Sequence, residues 1–212
     1  MKSVRYRVGN IGDLLKHSWL IEILAYLKKQ KAASPFYHAD TFSGFVDYRI
    51  GRGLSDRIKN RLSRSPLFRI QENALRQDRY YGSVTIARKV LGSSARLEVF
   101  DRNPKALEGF KGSGAAMLKI KSGYDVLKKK KPYDLIFLDE NMPGLTGIET
   151  LRLVKEIRND LPVVMITKHE EEGIMDAAIG SDIADYLIKP VKPNKILLVI
   201  KRIIEQRRLV RE

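Results

Sequence analysis

The chain has no cysteine among its 212 residues, which excludes disulfides, thiolate metal sites and a cysteine nucleophile and suits a reducing, cytoplasmic setting. Long apolar runs are missing as well. The stretch ILLVI at 196–200 is among the longest, far short of the roughly 18 residues a membrane span requires, so no membrane partner is expected. The start, MKSVRYRVGN, lacks the apolar segment of an export signal. Acidic charge is scarce too, with 25 Asp and Glu against 40 Lys and Arg. Hydrophobic residues are not scarce, and at 43% they suffice for a real core.

The excess of positive charge is uneven. Residues 1–123 hold 24 Lys and Arg against 10 Asp and Glu, whereas residues 124–212 hold 16 against 15. A concentrated excess of this kind is the footprint of a polyanion binder, because each cation placed on a phosphate releases condensed counterions. RNA is therefore an expected partner of the basic N-terminal half, the alternative being a merely soluble basic face.

Apolar residues recur at helical spacing from Ile11 to about Lys31, predicting a helix with one buried face. FYHAD running into TFSGF reads as the first strand and loop of a Rossmann-like sheet. Residues 46–80 are arginine-rich and weakly periodic, and suggest a helix plus a mobile connection. Beyond them follow a helix at 83–91, a strand LEVFD at 97–101, a helix after Asn103-Pro104, a strand MLKIK at 117–121 and a short helix in YDVLKKKK. DLIFLD at 134–139 reads as a strand buried on both faces. Helix 146–158, strand VVMIT at 163–167, helix 170–179, strand DYLIK at 185–189 and helix 193–208 complete the chain.

Strands alternating with helices imply an α/β fold, a doubly wound, Rossmann or flavodoxin-like parallel sheet with helices on both faces. Ligands of such sheets bind beyond the carboxyl ends of the strands. The residues there are Asp40, Asp101, Asp139, Thr167 and Lys189.

YDLIFLDENMPGLTGIETL, then PVVMITK, then DYLIKPVKPNKILL resemble the receiver domains of two-component response regulators, especially the PorX-type receivers. The resemblance covers about 80 residues in the right order. It implies that Asp139 attacks the phosphorus of a phosphodonor such as a sensor histidine kinase, with Thr167 and Lys189 neutralising phosphoryl oxygens. The carbonyl of Asn141 would help to hold magnesium, the Lys189-Pro190 bond would be cis, and Tyr186 would match the aromatic that rotates inward on phosphorylation. Tyr186 also reads as an ordinary half-buried strand tyrosine. A receiver opens with a strand ending in two adjacent acids that bind magnesium, whereas VFDRN at 99–103 supplies only Asp101.

GNIGDLLKH at 9–17, ADTFSG at 39–44, RYYGSVTIAR at 79–88 and VFDRNP at 99–104 resemble the RlmJ-type methyltransferases, which move methyl from S-adenosylmethionine to an adenine N6 of 23S rRNA. By that resemblance Lys16 and His17 sit over the cofactor, Ser83 touches it and Asp101 binds the ribose hydroxyls. His17 has a second reading as a histidine packed on a helix face. Phe42 stands where the family has histidine, and Ser122-Gly123 where it has Asp-Gly. The family's Asp-Pro-Pro-Tyr is replaced by Asp139-Glu140-Asn141-Met142, so adenine methylation is expected to be absent or feeble.

Both families are doubly wound, so the expectation is one hybrid domain of about six parallel strands in the order 3-2-1-4-5-6, methyltransferase-like over 1–123 and receiver-like over 124–212. That order makes Asp40 the third magnesium ligand beside Asp139 and Asn141, whereas a surviving receiver order would bring the strand of Asp101 there instead. The expected functions are a phosphorylated signalling module, a cofactor-dependent RNA methyltransferase with a degenerate catalytic motif, or a folded chimera with neither activity.

Overall fold

The computed structural model describes residues 9–30, 37–40, 44–101, 103–113, 115–119, 133–142, 144–168 and 183–209. The chain divides into two compact units, Met1–Ile120 and Lys121–Glu212.

In the first unit, helix α1 (Ile11–Gln30) begins with reciprocal capping. Asn10 Oδ1 accepts from the Asp13 amide at 3.1 Å, and Asp13 Oδ2 accepts from the Gly9 amide at 3.1 Å. This satisfies donors that a helix start leaves orphaned and sets a carboxylate at its positive end. Strands β1 (Tyr37–Asp40), β4 (Arg96–Asp101) and β5 (Ala116–Lys119) form a parallel sheet in the order β1-β4-β5. This is the expected 3-2-1 arrangement. Leu97 and Val99 of β4 pack with Leu24 of α1 and with Val84, Ala87 and Leu91 of α4 (Ser83–Leu91). Phe100 and Glu98, which alternate to the opposite face, are buried as well, so β4 is covered on both sides. Helix α5 (Pro104–Glu108) starts at Asn103, whose side chain accepts the Lys105 amide, with Pro104 in the first turn.

Residues 46–80 correct the sequence reading. They hold two helices, α2 (Arg52–Leu62) and α3 (Pro66–Leu75), between the strands β2 (Asp47–Arg49) and β3 (Arg79–Tyr81), which pair antiparallel. Ile58, Leu67 and Leu75 share a core with Leu14, Ile21, Tyr80 and Ile86. Two fully buried polar side chains stitch the segment together. Ser55 Oγ donates to the Leu75 carbonyl at 2.7 Å. Gln71 donates to the Tyr81 carbonyl at 3.0 Å and accepts from the Tyr81 amide at 2.7 Å, so one side-chain amide serves β3 as a neighbouring strand would.

In the second unit, β6 (Ile136–Asp139), β7 (Val163–Thr167) and β8 (Asp185–Ile188) form a parallel sheet in the order β6-β7-β8, which matches the 4-5-6 part of the expected order, but among the described residues it is a separate sheet and not the continuation of one six-stranded sheet. Helix α6 (Gly147–Ile157) opens on a complete capping box between Thr146 and Glu149. Helix α7 (Pro193–Leu209) buries Ile196, Ile200 and Ile203, the i, i+4, i+7 stripe. Central β7 is the driest strand, with Val163, Val164 and Met165 inaccessible. β6 departs from the expected burial on both faces. Leu138 is buried against Leu151 and Val154, but Phe137, alternating to the other face, is 36% exposed. As described, β6 has one strand neighbour, and an edge strand is shielded less than a central one.

The architecture is thus α/β with parallel, doubly wound strands. The helices expected in YDVLKKKK and at 170–179, together with Phe42 and Ser122-Gly123, lie outside the described residues. No described helix is long and apolar enough to cross a membrane.

Candidate functional site

Three adjacent parallel strands deliver their carboxyl ends to one edge of the second unit. Asp139 ends β6, Thr167 ends β7, and Lys189 follows β8. Backbone bonds fix the alignment: the Lys189 amide donates to the Thr167 carbonyl at 2.7 Å, and the Glu140 amide to the Ile166 carbonyl at 2.9 Å. Lys189 Nζ forms an ion pair with Asp139 Oδ2. The other carboxylate oxygen, Oδ1, accepts the Asn141 amide at 3.0 Å. Asp139 is 40% exposed and so open to a reagent from solvent, while Thr167 is inaccessible. The Lys189-Pro190 bond is cis. Tyr186 is partly buried against the cluster that holds Leu138 and Met165, and it borders a cleft of about 580 Å³ that Leu198 also lines.

Glu140, which sequence reasoning noted only as part of a lost motif, has a structural task. Its carboxylate accepts the Ile148 amide at 2.9 Å at the start of α6, and its carbonyl accepts the Gly147 amide at 3.1 Å. Burial raises its pKa, the Ile148 bond opposes that, and the neighbouring Asp139 charge adds to it.

A second constellation gathers at the ends of β1 and β4. Ser83, first residue of α4, donates its hydroxyl to Asp40 Oδ2. Gly82 before it donates to the Val46 carbonyl at 2.9 Å, and a Cβ there would run into the Phe45 carbonyl oxygen, so only glycine fits. Asp101, 6% exposed, accepts the Gly44 amide at 3.0 Å and the Asn103 amide at 2.8 Å. Lys16 is exposed on α1, its charge near enough to Asp13 to lower that carboxyl against the raising effect of burial. His17 Nδ1 lies 2.9 Å from the Tyr80 hydroxyl, with the rings stacked at 5.5 Å.

Burial lowers the His17 pKa to about 4, although the charge of Asp40 works the other way. The unfolded chain then takes up a proton near pH 6.5 that the folded chain refuses until about 4. Stability attributable to His17 is intact above pH 6.5 and falls with pH across that window, by on the order of 3 kcal/mol at most. His17→Gln is expected to flatten this part of the profile, read as the difference between the two proteins' urea midpoints from pH 7 to 4. Parallel profiles would show that His17 is not the titrating group.

Of the sequence candidates, the structure brings Asp139, Thr167, Lys189 and Asn141 together in one unit and His17, Ser83, Asp40 and Asp101 in the other. Asp40, expected as a magnesium ligand, is a residue of the first unit and is engaged there by Ser83. Sequence reasoning missed Tyr80 and the Asp40–Ser83 bond. Their only traces were the aromatic pair in RYYGS and the acid ending a strand.

Residues 106–201 match the family model described as the response regulator receiver domain. Similar curated proteins include the transcriptional regulatory protein ResD of Bacillus subtilis (strain 168), 35% identical over 74 residues that make up 35% of this chain and 30% of ResD. The signal transduction histidine-protein kinase BarA of Escherichia coli (strain K12) is 30% identical over 79 residues, 35% of this chain and 9% of BarA. The chain thus spans under a third of the length of these relatives. Among solved structures, a receiver domain protein from Clostridium thermocellum is 24% identical, with a TM-score of 0.41 over 55% of this chain and 98% of that one. The match to the receiver-domain model thus takes in residues 106–201, somewhat less than half of the chain.

Proposed function

We propose that Asp139 is the phosphoacceptor and that the second unit works as a receiver for a sensor histidine kinase or another phosphodonor. The observation that carries this reading is the convergence of a half-exposed carboxylate, a buried hydroxyl and a lysine ammonium at three neighbouring strand ends. An Asp139 oxygen attacks the donor's phosphorus as the phosphorus–nitrogen bond breaks. The bonding pair returns to the imidazole nitrogen, which takes up a proton, and Asp139 becomes an acyl phosphate. Lys189 moves from the carboxylate to a phosphoryl oxygen, and Thr167 donates to another.

Magnesium, when bound, supplies charge neutralisation to the phosphoryl oxygens. The Asp139 carboxylate and the Asn141 carbonyl would hold it. Two protein oxygens fit an ion that keeps most of its waters and shares the substrate's phosphate, and they make a weak site. No group of three or more His, Asp or Glu side chains suited to a metal is found among the described residues. The experiment is intact-mass analysis after incubation with a small-molecule phosphodonor and magnesium, beside Asp139→Asn.

A second reading concerns the first unit, where His17, Ser83, Asp40 and Asp101 gather at the ends of adjacent strands. This supports a weak site for S-adenosylmethionine or its demethylated product, with RNA as partner of the basic half. Asp101 spends two of its roughly four acceptor sites on backbone amides and keeps capacity for a ribose diol. Asp101→Ala is expected to weaken cofactor binding by roughly 1.5–3 kcal/mol in calorimetry. No binding heat from the wild type, or an unchanged affinity in a folded variant, would remove this reading.

A further inference from the structure

Residues 47–81 carry nine Lys and Arg against four Asp and Glu. Every one of the four acids is engaged within the segment: Asp47 with Arg79, Asp56 with Lys59, Glu72 with Arg76 and Asp78 with Arg52. The cations left over are Arg49, Arg57, Arg61, Arg64 and Arg69, all arginines and all exposed. Among the described residues none of the five has an acidic partner, and Arg57 reaches only the Gly53 carbonyl of its own helix, at 3.2 Å. Arg57 and Arg61 stand at i, i+4 on α2, and Arg64 follows at i+7 in a turn that Ser63 enters in helical conformation. Arg57 and Arg61 share one side of α2, and Arg64 lies two residues beyond its end.

We infer that this arginine side of α2 and of the α2–α3 turn is a binding surface for the phosphate backbone of a nucleic acid. The inference rests on the reading of the basic half as RNA-binding and names the surface responsible. Like charges at i, i+4 weaken a helix by a few tenths of a kcal/mol, and nothing in the segment offsets them, whereas its other cations are all paired. Guanidinium forks match phosphate oxygens two at a time. A membrane surface is the poorer partner. A bilayer-binding helix sets an apolar face beside its cations, but Ile58 is buried and Leu54 and Leu62 pack against the same core. Base stacking is not the means of recognition, because Tyr48, Phe68, Tyr80 and Tyr81 of this segment are all buried or half-buried. Contacts limited to phosphate give binding that tolerates any sequence and weakens steeply with salt.

The test uses the full chain and fluorescence anisotropy with labelled single-stranded RNA and with DNA of the same sequence, across a salt series. Arg57→Gln/Arg61→Gln/Arg64→Gln is compared with Lys29→Gln/Lys105→Gln/Lys111→Gln, which removes equal charge from exposed positions elsewhere in the unit. Thermal melts establish that both variants fold. The arginine variant is expected to lose affinity about tenfold or more on both nucleic acids. The slope of log K against log salt should shrink by about 2, which is three contacts at roughly 0.7 each on single strands. The lysine variant should stay near wild type. Equal losses in the two variants would overturn the surface while leaving RNA binding by the basic half standing. A wild type whose binding is absent or insensitive to salt would overturn both. Tighter binding to phosphatidylserine vesicles than to RNA, lost in the arginine variant, would overturn the nucleic acid as partner.

Discussion

Asp139→Asn is expected to abolish phosphoryl transfer to this chain while leaving the fold intact. The wild type should gain the mass of one phosphoryl group from a small phosphodonor with magnesium, and the variant none. The adjacent carboxylate is Glu140, next in sequence, but it is turned onto the Ile148 amide at the start of α6. It is a poor stand-in, since burial raises its pKa and so disfavours the ionised form that a nucleophile needs. An amide at position 139 still accepts the Asn141 amide and still neighbours Lys189, so cooperative unfolding should survive with a comparable midpoint. With two protein oxygens for magnesium among the described residues of this unit, labelling of the wild type should demand an excess of metal and fall away on chelation. Phosphoryl mass retained in Asp139→Asn would move the acceptor elsewhere, with Glu140→Gln the next variant to examine.

The parts of this fold legible in the sequence are those where local pattern and tertiary outcome coincide. β7 is an apolar run buried along its length, and the rule that ligands gather at strand ends led directly to Asp139, Thr167 and Lys189. Segment 46–80 was illegible for a physical reason. Its core packing rests on few apolar residues, and Ser55 and Gln71, wholly buried, break the hydrophobic period where it would have shown. β2 and β3 are three residues each, too short for an alternation to register, and part of β3's backbone pairing comes from the Gln71 side chain. The same limit hid Tyr80 and the Asp40–Ser83 bond. Their partners lie 63 and 43 residues away in sequence, and no local period encodes them. Phe137 errs in the other direction: a run that reads as buried on both sides belongs to a strand whose outer face is partly open.

Gly147→Ala is expected to destabilise the receiver unit and to slow its phosphorylation, although Gly147 touches no reacting atom. A Cβ at this position would lie 2.5 Å from Glu140 Oε2, 2.7 Å from Glu140 Cα and 2.8 Å from Met165 Cε, where carbon atoms sit comfortably at roughly 3.5–4.0 Å. The Oε2 and Cε atoms end flexible side chains and yield easily. The Glu140 backbone does not, because it is tied to β7 through the Ile166 carbonyl and to α6 through the Gly147 amide. Relief therefore requires moving the end of β6, at the residue after Asp139, or the first turn of α6. Overpacking of this sort costs about 1–3 kcal/mol. Alanine's better helix propensity returns about 1 kcal/mol in a helix interior and less in the first turn, so the net effect is a loss. Urea denaturation should show a lower midpoint with an unchanged slope. Glu140→Ala combined with Gly147→Ala separates the two sources: it removes the clash with the carboxylate but leaves the clash with the backbone of residue 140, so recovery should be partial. A single variant as stable as wild type would mean that glycine is not required here, and a double variant that recovers fully would mean that side-chain crowding alone requires it.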